Sequence, residues 1–169
     1  DPGGGGAVVP LPAGVAVTWA DEVIAIGVRG TPVPQGSGRS FVSGGRAVHV
    51  TRTAPLLAWR GAIATEARAA MGSRPLLEGP VALEVEFRPA ARPARHWLPA
   101  NARRLLRVLR LDAPVHHSSA PDIDKLCRAV LDALTSVVWV DDRQVARLVA
   151  SKRWPDEGEA PGASIRIRR

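Results

Sequence analysis

Two stretches of the chain alternate strictly between apolar and polar side chains. Residues 81–87 read VALEVEF, and residues 164–168 read SIRIR. A period of two predicts a strand with one buried and one exposed face, and such a strand needs cover on one side only. Residues 55–71 and about 125–134 each carry an apolar helical face that can supply this cover. We therefore expect one small domain of the α/β (α+β) class, with a sheet packed by two main helices.

The remaining elements follow from composition and turn signals. We predict a strand at 15–28, a hairpin pairing 40–42 with 47–50, and a strand at 145–154. Residues 137–140, VVWV, predict a short buried strand or a turn. Residues 1–14 hold five Gly and three Pro, so we expect a flexible tail there and the domain at 15–169.

The charge points to a polyanionic partner. The net charge is +7, and 21 of the 23 basic residues are Arg, which forms forked hydrogen bonds to phosphate. Seven of these Arg lie in residues 88–110, which contain no acid. Four Pro between residues 89 and 114 favour a long, partly ordered loop insertion at about 88–120 over a regular element. Two alternatives stay open, namely a basic protein without such a partner and a disordered insertion.

Several classes of protein are excluded or disfavoured. No apolar run reaches the roughly 18 residues that a membrane span needs, so we expect no membrane partner and a cytoplasmic location. The one cysteine, Cys127, rules out a disulfide within the chain and a zinc site built on cysteines. We find no convincing nucleotide-binding unit and expect no small-molecule cofactor.

Aspartate is concentrated in one block. Five of the nine Asp lie between residues 122 and 142, namely Asp122, Asp124, Asp132, Asp141 and Asp142. Carboxylates held close together repel unless something compensates them, and a hard cation such as Mg2+ prefers oxygen ligands. A metal site with Asp122, Asp124 and Asp142, supported by Asp132 or Asp141, is geometrically reasonable.

Each of these patterns also has a structural interpretation. Asp124 is placed to cap the helix that starts near Lys125, and Asp132 could pair with Arg128 one turn away. The Asp141–Asp142 pair could simply form a turn. The residues alone leave both interpretations open.

The same block resembles the signature of the RusA-like Holliday-junction resolvases, small endonucleases common in phages and prophages. The resemblance rests on PDIDKLCRAVLDAL at 121–134 and VWVDDRQV at 138–145. It extends to the loop GTPVPQG at 30–36 and to Lys152 on the strand after the paired Asp.

The resemblance implies a homodimer of mixed α/β subunits that cuts four-way DNA junctions with Mg2+, for which Mn2+ could substitute. Carried over by position, Asp122, Asp124 and Asp142 would be metal ligands and catalytic, with Asp132 and Asp141 in support. Arg128 would also be catalytic. The residues expected to contact DNA are Arg39, Lys125, Arg128, Lys152, Arg103, Arg104 and Arg107.

Two departures from the family pattern bear on activity. The family usually has Asn where this chain has Lys125, and Lys where it has Arg128. Arg keeps the charge but does not readily give up a proton. The alternatives are therefore a branched-DNA-binding module with weak or no catalysis, or a nuclease of this fold acting on forks, flaps or RNA.

Overall fold

A computed structural model describes residues 23–36, 39–50, 53–99 and 107–169. The predicted tail at 1–14 and the first part of the strand predicted at 15–28 lie outside these residues. The described part of that strand is β1, Val23–Arg29.

The elements follow the predicted order with small shifts in their ends. After β1 come the hairpin strands β2 (Arg39–Ser43) and β3 (Arg46–Val50) and the helix α1 (Ala54–Met71). The strand β4 (Val81–Arg88) precedes the long connection to α2 (Ile123–Leu134). The chain then forms β5 (Val145–Lys152) and β6 (Gly162–Arg168).

Four of the strands form one mixed sheet in the order β1-β6-β4-β5, and β2 and β3 pair separately. Strand β6 runs antiparallel to both of its neighbours, whereas β4 and β5 are parallel. The structure thus confirms a single domain with a mixed sheet and two main helices.

Alternation divides this sheet into a covered face and an open face. The inward positions of β1 are Ile24, Ile26 and Val28, and Ile165 and Ile167 continue the same layer in β6. Both helices pack on this layer, because all the buried apolar side chains of helices and sheet belong to one core. The other face carries exposed side chains.

The segment 137–140 adopts the second of the two predicted forms, a turn. Val138 and Trp139 belong to this turn and are fully buried. The Ser136 N–H donates a hydrogen bond to the Trp139 carbonyl at 2.7 Å, which closes the turn. This turn brings the chain from the end of α2 back to the start of β5, and so places Asp141 and Asp142 beside the helix.

Candidate metal and DNA site

The helix α2 begins two residues earlier than predicted. Asp122, rather than Asp124, occupies the N-cap position, and its side chain makes no capping hydrogen bond. The Asp122 carboxylate instead accepts a hydrogen bond from Lys125 Nζ at 2.6 Å. That bond and the positive charge of Lys125 lower the pKa of Asp122. Asp124 lies in the first turn, where the helix dipole favours a negative charge.

A cleft of 450 Å³ opens between α2 and the turn and strand that follow it. Asp124 and Arg128 reach it from the helix, and Asp142 reaches it from the start of the turn before β5. The carboxylates of Asp124 and Asp142 form no hydrogen bond or ion pair with any residue that the structure describes. Two of the three predicted metal ligands therefore share one open space with the predicted catalytic arginine. The rest of the lining is Ile123, Cys127, Leu131, Leu148 and Ala150.

Asp141 has a structural role that its neighbour Asp142 does not share. It caps a single 3₁₀ turn at Asp142–Gln144, and its carboxylate accepts the Arg143 N–H at 3.0 Å. The Gln144 side chain completes the capping box and also donates to the carbonyls of Leu77 and Gly79, at 2.9 and 3.1 Å. These bonds fix the turn to the connection between α1 and β4 and so hold Asp142 at the cleft.

Asp132 is also held by other side chains rather than presented to the cleft. Arg60 of α1 forms an ion pair with its carboxylate at 3.2 Å, and Gln35 donates to the same oxygen at 2.6 Å. The alternative pairing with Arg128 is therefore not the one formed. The backbone N–H of Gln35 donates to the Lys125 carbonyl at 3.0 Å. Asp132 thus ties α1 and the GTPVPQG loop to α2.

The residues at the cleft suit a hard cation that keeps part of its water shell. Among the described ranges, no group of three His, Cys, Asp or Glu side chains is close enough to hold a metal ion. Mg2+ is commonly bound through one or two carboxylates with the other positions filled by water, which matches Asp124 and Asp142. Burial raises the pKa of Cys127 to about 11, so its thiol stays protonated and is a poor ligand.

Some of the predicted DNA-binding residues are exposed at the cleft, some are bonded to the protein, and some have side chains outside the described residues. Arg128 is exposed at the cleft and has no ion pair with the part of the chain that is described. Lys152 instead donates through Nζ to the carbonyls of Ser119 and Pro121, at 2.6 and 2.7 Å, and so fixes the approach to Asp122. Arg39 begins β2, but its side chain, like all of Arg103 and Arg104, lies outside the described residues.

The part of the Arg-rich insertion that is described packs against the region after β5. The Arg92 guanidinium donates to the carbonyls of Pro155 and Pro114, each at 2.9 Å. His96 and His117 pack on the Trp154 ring, with ring centroids at 5.2 and 4.2 Å. Arg107 is exposed and lies over Trp97, with Cζ at 4.9 Å from the ring centroid. The insertion is therefore an ordered basic arm over the described residues 88–99 and 107–120.

Sequence reasoning missed the side chains that support the site. Gln35 belongs to the loop motif GTPVPQG at 30–36, so the motif could have identified it as a residue of the site. Arg60 lies 72 residues before Asp132 and gave no local signal, because only the packing of α1 on α2 brings the two together.

Comparison with known proteins places the chain among nucleases. The family model described as Endodeoxyribonuclease RusA matches residues 30–168. That range includes every element of the cleft and all five Asp of the block. The chain belongs to the RusA endodeoxyribonuclease family.

One curated relative has no recorded activity in its name. The chain is 28% identical over 150 residues to the "Uncharacterized protein YqaN" of Bacillus subtilis (strain 168). The match covers 87% of this chain and 96% of the relative. Within the described ranges, no helix is both long enough and apolar enough to cross a membrane.

Proposed function

We propose that this protein is a Mg2+-dependent, structure-specific endonuclease that resolves four-way DNA junctions by paired cuts. The observation that carries the proposal is the shared cleft of a nuclease-family member, which is lined by an exposed arginine and by two carboxylates that no described residue pairs with. Mn2+ is expected to substitute for Mg2+, since it also takes oxygen ligands.

Each charged residue of the cleft would have its own role in the reaction. Asp124 and Asp142 would hold the cation, with Asp122 as a further ligand once its carboxylate leaves Lys125. A bound Mg2+ would polarise the scissile phosphate and lower the pKa of an attacking water. Arg128 would bind the phosphate oxygens and neutralise their charge, because a guanidinium hardly ever gives up its proton.

Paired cutting of a two-fold symmetric junction calls for two sites related by the same symmetry. A homodimer would supply them. The edge strand β5 supports this proposal, because no partner strand lies on its outer side among the described residues. Val140, just before Asp141, is 59% exposed and does not line the cleft, so it is available to such a contact. We expect sedimentation to give a dimer and Val140→Lys to weaken it.

The basic arm would hold the DNA backbone rather than read its bases. Arg95 and Arg107 of the arm are exposed, whereas Arg88 is buried and paired with Glu159. Arginine contacts to phosphate set position and affinity without sequence information. Preference for a junction over a linear duplex would then come from shape.

The test is cleavage of a labelled four-way junction and of its matching linear duplex, each with Mg2+ and with EDTA. We expect symmetric paired nicks in the junction only, and only with Mg2+. Forks, flaps and RNA hairpins of the same length show whether another branched substrate is preferred. No cleavage of any of them with Mg2+ or Mn2+ would contradict the nuclease proposal.

One contact favours a second candidate function. Lys125 already neutralises Asp122 at 2.6 Å, which lowers the negative charge available to a cation. A protein that used this pair to bind junctions without cutting them would bind the same DNA equally well with Mg2+ and with EDTA. Tight binding without nicks would support that function over the first.

A further inference from the structure

The open face of the sheet carries a group of arginines that the cleft does not use. Arg147 of β5 and Arg166 and Arg168 of β6 are exposed, and their guanidinium groups form no ion pair or hydrogen bond with a residue that the structure describes. They surround a shallow depression of 140 Å³, whose floor includes Ala82 and Glu84 of β4.

The register of the sheet gives the spacing of these charges. Arg168 and Arg147 both lie beside Ala82, on opposite sides of β4, so their backbones are about 10 Å apart. Arg166 lies two residues from Arg168 along β6, or roughly 7 Å away. The three guanidinium groups therefore spread over an area larger than one small anion.

Small side chains leave the arginines free to reach outward. Ala25 and Gly27 are the smallest β1 residues on the open face, and a Cβ built on Gly27 meets nothing within 4 Å. Within the depression only Glu84 opposes the positive charge, directly beside Arg166, and Glu86, the next acid of β4 on this face, is paired with Arg88 and Arg153. The patch holds three arginines against one glutamate, and its chemistry suits an extended polyanion.

A second copy of the chain would be a poor occupant of this face. In a symmetric contact between two copies, each patch would meet the same unpaired arginines of the other. The cores of protein interfaces are depleted of charged residues and rich in apolar ones. This face has few exposed apolar side chains, such as Val23 and Val149, which are 39% and 44% exposed.

We infer that the open face of the sheet is a second DNA-backbone surface, formed by Arg147, Arg166 and Arg168, that holds an arm of the branched substrate. The inference rests on the proposed function for its ligand. Strand β5 separates the two surfaces, because Leu148 and Ala150 line the cleft while the alternate residues Arg147 and Val149 face the open side. DNA bound in the cleft and DNA bound on the open face are therefore different segments, as the arms of a junction are.

The experiment measures junction affinity as a function of salt for the full chain and for Arg147→Gln/Arg166→Gln/Arg168→Gln. The association constant falls as salt rises, and each lost phosphate contact reduces the magnitude of the slope of log K against log salt by about 1. We expect the triple variant to reduce this magnitude by about 2 to 3. Its binding near 0.1 M salt should be on the order of 10- to 100-fold weaker. On junctions with arms of only about six base pairs, the variant should bind like the unaltered protein.

Two further variants separate DNA contact from a general effect of charge or stability. Glu84→Gln removes the one acid of the patch and should tighten binding to long-armed junctions. Arg68→Gln removes an exposed charge from α1, on the other side of the sheet, and should leave the slope unchanged. Thermal melting of each variant checks that the fold is kept.

The failure of this inference can be told apart from the failure of the proposed function. If the unaltered protein cuts junctions while the triple variant keeps its slope on long arms, the second surface is excluded and the nuclease stands. If the unaltered protein neither binds nor cuts junctions, the proposed function itself fails. A shift of the triple variant in oligomeric state, with no change in slope, would identify the face as a protein interface and overturn the inference.

Discussion

Asp132 and Asp142 belong to the same acidic block but lie in opposite surroundings. Asp132 is held by Arg60 and Gln35, which join three parts of the fold at that carboxylate. Asp142 lines the open cleft with Asp124 and has no protein partner among the described residues. The comparison shows that closeness in sequence does not give these carboxylates a common role. Those already bonded to the protein stabilise it, and those left free are available to a cation.

The largest expected effect concerns the free carboxylates. Asp124→Asn should lower junction cleavage by more than the roughly 10- to 100-fold that loss of a residue supporting a metal ligand causes. Junction binding and the melting temperature should hardly change, because the Asp124 carboxylate forms no hydrogen bond or ion pair with the described residues. Single-turnover cleavage of a labelled junction gives the measurement, and Glu66→Gln, which alters an exposed carboxylate of α1 outside the cleft, is the control. Cleavage by Asp124→Asn at the unaltered rate would remove Asp124 from the site.

The next effect concerns the bonded carboxylate. Asp132→Ala leaves the Gln35 amide without this acceptor and Arg60 with only the backbone carbonyl of residue 132, so the free energy of unfolding should fall by about 1–3 kcal/mol. Urea unfolding followed by tryptophan fluorescence measures this change. Glu66→Ala, which removes an exposed acid of α1, should change stability by less than about 0.5 kcal/mol. Equal stability of Asp132→Ala and the unaltered protein would show that the ties to Asp132 contribute nothing.

A smaller effect should appear when Mg2+ is added. A cation that binds the folded chain at about ten times its Kd stabilises it by roughly 1.4 kcal/mol. Asp142→Asn should abolish this metal-dependent rise in melting temperature, whereas Asp132→Asn should lower the starting value and keep the rise. A rise of equal size in Asp142→Asn would contradict the division between free and bonded carboxylates.

The smallest effect concerns Asp122, whose carboxylate is bonded to Lys125 and to no other described side chain. The pair holds the pKa of Asp122 below its ordinary value of 3.8, so any stability it gives is present above that value and is lost as the pH falls through the lowered pKa. Lys125→Met should return the pKa of Asp122 toward 3.8, as an NMR titration of its carboxyl carbon would record. Mg2+ should also bind the variant slightly more tightly. An unchanged pKa would show that the ion pair does not form in solution.

The sequence was sufficient for most of the fold. Alternation identified β4 and β6, and the apolar faces of α1 and α2 gave both helices to within two residues at either end. These elements follow from local periodicity, which a single sequence carries in full. The start of α2 was placed two residues late, because Asp122 and Asp124 are equally suited to an N-cap and only the backbone distinguishes them.

The site was harder to predict than the fold. The acidic block and its resemblance to RusA-like proteins pointed to one segment, yet they could not separate the surroundings of its members. The partners of Asp132 come from α1 and from the loop at 30–36, and no pattern near residue 132 indicates either one. The open face was likewise hidden, since SIRIR is typical of any half-exposed strand until the neighbours of β6 are known.

The order of the sheet also has a consequence for synthesis of the chain. Strand β1 pairs only with β6, and β6 also joins β1 to β4. About 130 residues separate the end of β1 from the start of β6. At typical rates of translation, roughly 5–20 residues per second, β1 waits on the order of 7–27 s for β6 to be synthesised. During that time Ile24, Ile26 and Val28 have no sheet to join, so β1 of the nascent protein is open to aggregation or chaperone capture.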